Sequence, residues 1–308
     1  MKIVLLDALT FGDTDLSSFK QFGEVEIFQT TSKEQTQERI YNADVIVTNK
    51  VVISDAVMAN APNLKLICVA ATGMNNIDLE AAKKRAIEVK NVSGYSTDSV
   101  VQHTFSILFY LVGHSKYYDG FVKSGAYSKS PIFTDITKPF FEIKGKKWGI
   151  IGLGAIGRKV ANVAKTFGAE ICYYSTSGKN DSSDFLKSDL QDLLKVCDII
   201  SIHAPLNEKT LNLLGYEQLL TCKDKAVVLN LGRGGIIDEE AIARIIDEKN
   251  ISFGLDVLEK EPIREDHPLL RVKNRENLYI TPHIAWASVE ARDKLIAGVV
   301  ENIKSFIR

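Results

Sequence analysis

The order of apolar segments restricts the fold of this chain more than any other feature of its sequence. Apolar runs of strand length alternate with longer helical stretches, once in the first third of the chain and again in the middle third. This alternation is typical of βα units on a parallel sheet, and not of all-β proteins or helix bundles. The predicted strands are Ile3–Leu6, Val25–Phe28, Val45–Val47 and Leu66–Ala70, then Lys147–Ile151, Glu170–Tyr174, Ile199–His203, Ala226–Asn230 and a pair near Gly254 and Tyr279.

Composition excludes several classes of partner. The 308 residues carry 38 basic and 39 acidic side chains, so the net charge of −1 gives no reason to expect a nucleic acid partner. The apolar run at Ile3–Leu6 ends in an acid and is too short for a secretion signal or a membrane span. The four cysteines have no C-x-x-C spacing, which predicts neither a metal site nor a disulfide framework and favours a reducing cytoplasm.

Two segments outside the alternating pattern indicate how the chain is organised. Ser99–Leu111 predicts an apolar helix, and residues 114–141 follow it with little periodicity, two prolines and several aromatic side chains. A long segment of this kind is usually functional, an interface arm or disordered. We favour an interface arm and expect a homodimer built through it. The apolar positions of Ser288–Phe306 predict a last helix that returns to the first domain.

A glycine-rich turn follows the first strand of the second set. Gly152, Gly154 and Gly157 fit the pattern G-x-G-x-x-G, and Ala155 and Ile156 occupy its variable positions. In such a turn the first glycine allows the tight bend, the second lets backbone approach a pyrophosphate, and the third lets the helix pack closely. Because a strand precedes this turn and a helix follows it, we expect a bound dinucleotide.

The next strand end bears on which coenzyme binds. An NAD site usually has an acidic residue there to accept the ribose 2′-hydroxyl, but here the strand is followed by Ser175, Thr176, Ser177 and Lys179. These hydroxyls and the lysine could donate to a 2′-phosphate, although the loop has no arginine. The choice between NAD and NADP therefore stays open, with a slight preference for NADP.

Three later strand ends carry polar side chains that a core does not require. Arg233 follows one strand between glycines, Asp256 and Glu261 follow another, and His283 lies in a loop after the last. Ligands of open α/β sheets bind outside the carboxyl ends of the strands, so these side chains form a candidate acid–base and carboxylate-binding site. No histidine or cysteine spacing indicates a metal.

These motifs, in this order, make the sequence similar to the D-isomer-specific 2-hydroxyacid dehydrogenase family over nearly the whole chain. The resemblance also includes residues 71–78, 99–104 and 203–206. It implies two doubly wound, Rossmann-like or flavodoxin-like domains, with the coenzyme domain inserted into the substrate domain. The expected bounds are 1–98 plus 287–308 for the substrate domain and 99–286 for the NAD(P)-binding domain.

The resemblance also implies a role for each candidate residue. Arg233 would bind the substrate carboxylate, His283 would be the acid–base, and Glu261 would hydrogen-bond His283 and favour its protonated form. Substrate would also contact Thr72, Gly73 and Met74, and closure of the two lobes would exclude water. Asp256 would bind the nicotinamide carboxamide, and the coenzyme pocket would further include His203, Ala204, Pro205, Leu231 and Gly232.

The branch of the family that the sequence most resembles is glycerate dehydrogenase, or hydroxypyruvate reductase. It implies NAD(P)-dependent, reversible hydride transfer to hydroxypyruvate or glyoxylate, although Met74 stands where a threonine is expected. An alternative is a corepressor-like scaffold that senses a dinucleotide with the same fold, and only turnover would distinguish it. Among the other histidines, His114 and His267 are expected to be surface or packing residues, and His103 contacts either the core or the coenzyme.

Overall fold

The computed structural model describes all 308 residues, which divide into two compact units. One unit comprises Met1–Ser96 and Trp286–Arg308, and the other comprises Thr97–Ala285. Each unit contains one sheet in which every strand pairing is parallel. The predicted class, two α/β parallel-sheet domains, is confirmed.

The first unit has a five-stranded sheet in the order β2-β1-β3-β4-β5. Its central strands read Val-Ile-Val-Thr and Leu-Ile-Cys-Val and are fully buried, as expected when both faces of a parallel sheet are covered. The elements are β1 Lys2–Leu5, β2 Glu24–Ile27, α1 Lys33–Ile40, β3 Val45–Thr48, α2 Asp55–Ala59, β4 Leu66–Val69, α3 Leu79–Lys84 and β5 Glu88–Asn91.

The strand β5 is absent from the sequence prediction. It reads Glu-Val-Lys-Asn and lies at the edge of the sheet, so its apolar signal is a single valine. The C-terminal helix Val289–Ile307 packs on one face of this sheet through five buried aliphatic side chains, which are Leu295, Ile296, Val299, Val300 and Ile303.

The second unit has a seven-stranded sheet in the order β12-β11-β10-β9-β6-β7-β8. Its elements are α4 Thr97–Val112, α5 Ser115–Lys123, β6 Lys147–Ile151, α6 Ala155–Thr166, β7 Glu170–Tyr174, β8 Leu186–Lys187, α7 Leu190–Val196, β9 Ile199–Ile202, α8 Tyr216–Thr221, β10 Val227–Asn230, α9 Glu239–Glu248, β11 Ser252–Leu255 and β12 Leu278–Ile280. The strand order reverses between β6 and β9, which is the point where open α/β sheets bind ligands.

The segment 114–141 has more regular structure than its sequence pattern indicates. Its first part forms α5, and a short 3-10 helix covers Tyr127–Lys129. The remainder exposes apolar side chains, among them Phe133 at 88%, Ile136 at 78% and Phe140 at 67%. The C-terminal helix is α10, and no helix of the chain is long and apolar enough to span a bilayer.

Candidate active site

The glycine-rich turn joins β6 to α6, and each of its three glycines has a distinct reason to lack a side chain. Gly152 has a φ of +94°, and a Cβ there would lie 2.8 Å from the backbone nitrogen of Ala204. A Cβ on Gly157 would lie 2.2 Å from the carbonyl oxygen of Gly152, so α6 could not approach the turn. Gly154 instead faces open space, which leaves room for a phosphate beside the first amides of α6.

The end of β7 presents a buried hydroxyl. The Oγ of Ser175 is buried and has no hydrogen-bond partner, which is uncommon for a buried polar atom. Thr176, Ser177 and Lys179 follow in a more exposed turn. A dinucleotide ribose fits this position because it would supply the missing partner.

An arginine contacts the segment just after this turn, although the loop itself contains none. Nη2 of Arg158, on the first turn of α6, donates to the backbone oxygen of Asp181 at 2.5 Å. Sequence reasoning missed Arg158 because it precedes the loop by a whole helix and strand. The signal available in the sequence was that Arg158 directly follows Gly157, the third glycine of the turn.

Two further segments lie against the glycine-rich turn. His203, Ala204 and Pro205 follow β9, and Leu231 and Gly232 follow β10. A Cβ on Gly232 would lie 2.7 Å from the oxygen of Ala204, so these backbones are in close contact. The structure therefore brings both predicted segments to the same edge of the sheet as Gly152.

His203 is held as a neutral imidazole. Its Nε2 lies 3.0 Å from Oγ of Ser201, which accepts a hydrogen bond from Nε1 of Trp148 at 2.9 Å. Burial lowers the pKa of His203 to about 3, and its Nδ1 is buried without a partner. A charged imidazole at this position would lose its hydration without a compensating carboxylate.

The turn after β10 presents Arg233 without an acidic partner. The side chain of Asn230 closes the turn, because its Nδ2 donates to the oxygen of Arg233 at 2.8 Å and its Oδ1 accepts from the amide of Gly232 at 3.1 Å. The guanidinium makes one hydrogen bond, from Nη1 to the oxygen of Gly232 at 2.9 Å, and pairs with no carboxylate of the chain. Most of its donors are therefore available to an anion.

Glu261 and His283 meet in a short hydrogen bond. Nδ1 of His283 donates to Oε2 of Glu261 at 2.7 Å, while Oε1 of Glu261 accepts from the amide of Leu258 at 3.0 Å. Since the Nδ1 proton points to a carboxylate, Nε2 is the ring nitrogen left to exchange a proton. The side chains are 21% and 34% exposed for His283 and Glu261, so a small ligand can reach them.

Asp256 holds the backbone of the loop that carries His283. Its Oδ1 accepts from Oγ1 of Thr281 at 2.6 Å and from the amide of Ile284 at 2.8 Å, and its Oδ2 accepts from the amide of Ala285 at 2.9 Å. His283 itself adopts a φ of +56°, an uncommon conformation for a residue other than glycine. The structure gives Asp256 a loop-holding role that the sequence did not reveal.

His103 belongs to the same cluster. Its Nε2 lies 3.0 Å from Oγ1 of Thr281 and 3.5 Å from Oδ1 of Asp256. This imidazole lies in α4, six residues after the helix begins at Thr97. Its partners follow two strands that lie more than 150 positions later in the sequence. The question left open by the sequence is answered in part: His103 contacts the protein core at Asp256 and Thr281.

The predicted substrate loop lies in the first unit, directly after β4. The hydroxyl of Thr72 donates to the backbone oxygen of Val92 at 3.3 Å. The backbone oxygen of Thr72 accepts from Nδ2 of Asn91 at 2.7 Å. Gly73 has intermediate exposure, and Met74 packs against the apolar core of this unit. The role of this loop in substrate binding stays a prediction.

The comparisons with known proteins agree with an oxidoreductase that uses a nicotinamide coenzyme. Residues 105–285, more than half of the chain, match the model "D-isomer specific 2-hydroxyacid dehydrogenase, NAD binding domain". A hydroxypyruvate reductase of Blautia hydrogenotrophica is 33% identical, covering 100% of this chain and 97% of its own. A glycerate dehydrogenase of Methylorubrum extorquens is also 33% identical, covering 99% and 96%.

A solved structure gives the same result at the level of the fold. The D-lactate dehydrogenase of Aquifex aeolicus, complexed with NAD and lactic acid, superposes with a TM-score of 0.86 at 25% identity and covers 100% of this chain and 95% of its own. The class is therefore an NAD(P)-dependent oxidoreductase that acts on 2-hydroxy acids. The chain belongs to the D-isomer-specific 2-hydroxyacid dehydrogenase family, as its sequence motifs predicted.

Proposed function

We propose that this enzyme reduces small 2-oxo acids, with hydroxypyruvate converted to D-glycerate as the main reaction and glyoxylate converted to glycolate as a second one. The observation that carries the proposal is the His283–Glu261 hydrogen bond of 2.7 Å, which leaves Nε2 free. The names of the two relatives, a hydroxypyruvate reductase and a glycerate dehydrogenase, support the choice of substrate.

The proposed chemistry separates binding from proton transfer. The Arg233 guanidinium pairs with the substrate carboxylate, and a two-point contact of this kind fixes the orientation of the adjacent carbonyl. When bound, NAD(P)H would supply the hydride that reduces the carbonyl carbon. His283 gives the Nε2 proton to the carbonyl oxygen, and Glu261 stabilises the imidazolium beforehand through Nδ1. The reverse reaction uses His283 as a base.

The residues proposed to hold the coenzyme surround the glycine-rich turn. Backbone amides at Gly154, Ala155 and Ile156 would bind the pyrophosphate, and the segments 203–205 and 231–232 would flank the remaining surface. We propose a preference for NADP, because the buried hydroxyl of Ser175 stands where an NAD site has a carboxylate and Arg158 contacts Asp181, just beyond the same turn.

The variant Ser175→Asp tests that preference. An aspartate would repel a 2′-phosphate and accept from a 2′-hydroxyl, so we expect the ratio of kcat/KM for NADPH over NADH to fall about 10-fold or more. The matched control is Ser183→Asp, which adds the same charge at an exposed serine outside the residues assigned to the coenzyme. An unchanged ratio in Ser175→Asp would overturn this part of the proposal.

We also propose a homodimer formed through α4 and the segment 114–141, and a location in the cytoplasm. The dimer is supported by the exposed apolar side chains at Phe133, Ile136 and Phe140, which a second copy would cover. Light scattering at micromolar concentration tests it, and a monomer mass would contradict it. The location rests on the cysteines, all four of which are buried and unpaired in disulfides.

The experiment that tests the reaction is an initial-rate assay with hydroxypyruvate, glyoxylate and pyruvate, each with NADH and with NADPH. We expect kcat/KM to be highest for hydroxypyruvate, lower for glyoxylate and lowest for pyruvate. Activity restricted to pyruvate or to a larger 2-oxo acid would keep the class of reaction and overturn the proposed substrate.

A further inference from the structure

A second carboxylate–imidazole pair lies in the same unit as Glu261 and His283. Oε2 of Glu239 and Nε2 of His267 are 2.9 Å apart, and their side chains are only 8% and 9% exposed. Glu239 is the first residue of α9, and His267 precedes the 3-10 helix Pro268–Arg271. The reaction described above gives neither residue a role.

The hydrogen bonds fix the protonation of this pair. The amide of Leu269 donates to Nδ1 of His267 at 3.3 Å, so Nδ1 must offer a lone pair and the ring proton must sit on Nε2. Nε2 then donates to Glu239. Because both ring nitrogens are engaged, His267 has no nitrogen left for proton exchange and can act only by holding other groups in place.

The other oxygen of Glu239 holds the loop that carries Glu261. Oε1 of Glu239 accepts from the amide of Glu259 at 2.6 Å. The preceding amide, that of Leu258, donates to Oε1 of Glu261 at 3.0 Å. Two consecutive backbone amides are therefore bound, one by the buried pair and one by the carboxylate that contacts His283.

The turn that carries Arg233 rests on the same stretch of backbone. A Cβ on Gly234 would lie 1.9 Å from the carbonyl carbon of Leu258 and 2.2 Å from the nitrogen of Glu259. Any displacement of residues 258–259 would therefore be transmitted to the neighbour of Arg233. Glu239 itself follows this turn by only a few residues, so the buried pair is attached to both segments.

We propose that Glu239 and His267 are positioning residues for the reaction, which fix the loop 258–261 so that Glu261 meets His283. This inference rests on the proposed function, since it assigns the pair to the same site. Glu239 acts through Glu261 and does not itself touch substrate or coenzyme.

The test uses the full-length enzyme and the variant Glu239→Gln. Glutamine has nearly the same shape, but it has one acceptor oxygen where two donors, Nε2 of His267 and the amide of Glu259, face the carboxylate. Its amide group must therefore meet one of these donors, which breaks that hydrogen bond. We expect kcat with hydroxypyruvate to fall about 10-fold, because a small misplacement of an acid–base group is costly. KM and the Kd for NADPH, the latter measured by fluorescence titration, should change less than about 2-fold.

A pH profile separates positioning from a structural role. If Glu239 acts by holding Glu261 against Nδ1 of His283, the pH profile of log kcat/KM in Glu239→Gln should change in the same way as the profile of Glu261→Gln. The double variant Glu239→Gln, Glu261→Gln should be no slower than Glu261→Gln alone, because the first change acts only through the second. An unshifted profile with additive losses would overturn the proposal.

Two further variants complete the design. Glu240→Gln removes the same charge from the adjacent, exposed position of α9 and should leave kcat and the pH profile unchanged. His267→Leu keeps an apolar side chain of similar bulk but removes both ring nitrogens, so it breaks the pair from the other side and should reproduce the effects of Glu239→Gln. If Glu239→Gln does not bind coenzyme, the profile of His267→Leu decides. Loss of activity in His283→Ala with a normal Glu239→Gln would overturn only this inference, whereas full activity in His283→Ala would overturn the proposed function itself.

Discussion

Two pairs of the same chemistry, Glu261 with His283 and Glu239 with His267, lie in different surroundings in one unit. The first pair is 34% and 21% exposed and the second is 8% and 9% exposed. Burial raises the pKa of Glu239 from its usual value, against the lowering effects of the Glu259 amide and His267. The first pair lies at strand ends with a free Nε2, and the second uses its Nδ1 to accept from a backbone amide.

The difference shows that a carboxylate–imidazole contact does not itself define an acid–base group. What decides is the nitrogen on the far side of the ring: if that nitrogen is open to a ligand the imidazole can transfer a proton, and if a backbone amide occupies it the imidazole is fixed. His283 meets the first condition and His267 the second. The predictions below test whether this division holds.

Removing the open imidazole should have the largest effect. In His283→Ala the proton donor is lost, so we expect kcat for hydroxypyruvate reduction to fall about 10²- to 10⁴-fold, while the Kd for NADPH stays within about 2-fold. Stopped-flow or steady-state rates with a coenzyme titration measure both quantities. Turnover at the wild-type rate would remove His283 from the mechanism.

Removing the fixed imidazole should instead destabilise the fold. His267→Ala leaves the buried Glu239 carboxylate without its ring donor, and we expect the free energy of unfolding to fall by about 2 to 4 kcal/mol. His283→Ala, which removes a more exposed ring, should stay within about 1 kcal/mol of wild type. Urea denaturation of both variants makes the comparison, and equal losses would contradict the division between the two pairs.

A third change separates substrate binding from proton transfer. Arg233→Ala removes the guanidinium that no carboxylate of the chain neutralises, so we expect KM for hydroxypyruvate to rise about 10²-fold, equivalent to about 2.7 kcal/mol. Arg233→Lys should recover part of this loss, because the charge returns without the planar fork. A KM close to the wild-type value in Arg233→Ala would mean that another group binds the substrate carboxylate.

The fold is largely predictable from this sequence because a parallel sheet needs buried, near-continuous apolar strands. Runs such as Leu66–Ala70 and Lys147–Ile151 stand out for that reason, and they match the observed strands within one residue. Edge strands lack this signal, which explains why Glu88–Asn91 was missed. The helix Ser115–Lys123 was missed because none of its side chains is buried, so no apolar stripe faces a core.

The candidate site is predictable only where a motif carries it. Gly152, Arg233, Glu261 and His283 follow strand ends in a recognisable order, and the structure brings the last two into contact. Glu239 and His267 have no such pattern, because their contact joins positions 28 residues apart through a loop of irregular backbone. From the sequence, His267 is one of two histidines expected to be surface or packing residues, and only the structure reveals its buried partner.

A third imidazole, His203, extends the comparison to a ring with no carboxylate at all. Its pKa in the folded protein is about 3 because of burial, whereas the pKa of an unfolded histidine is about 6.5. Between about pH 6.5 and pH 3 the unfolded chain therefore binds a proton at His203 that the folded protein does not bind. The free energy of unfolding consequently decreases as the pH falls through this range. At pH 5 this loss amounts to at most about 2 kcal/mol. Urea denaturation at pH 7.5 and pH 5 should show a smaller decrease in the free energy of unfolding for His203→Asn than for wild type. The control is His114→Asn, which should lose as much as wild type. An equal decrease in all three proteins would mean that His203 gains a proton in the folded state without penalty.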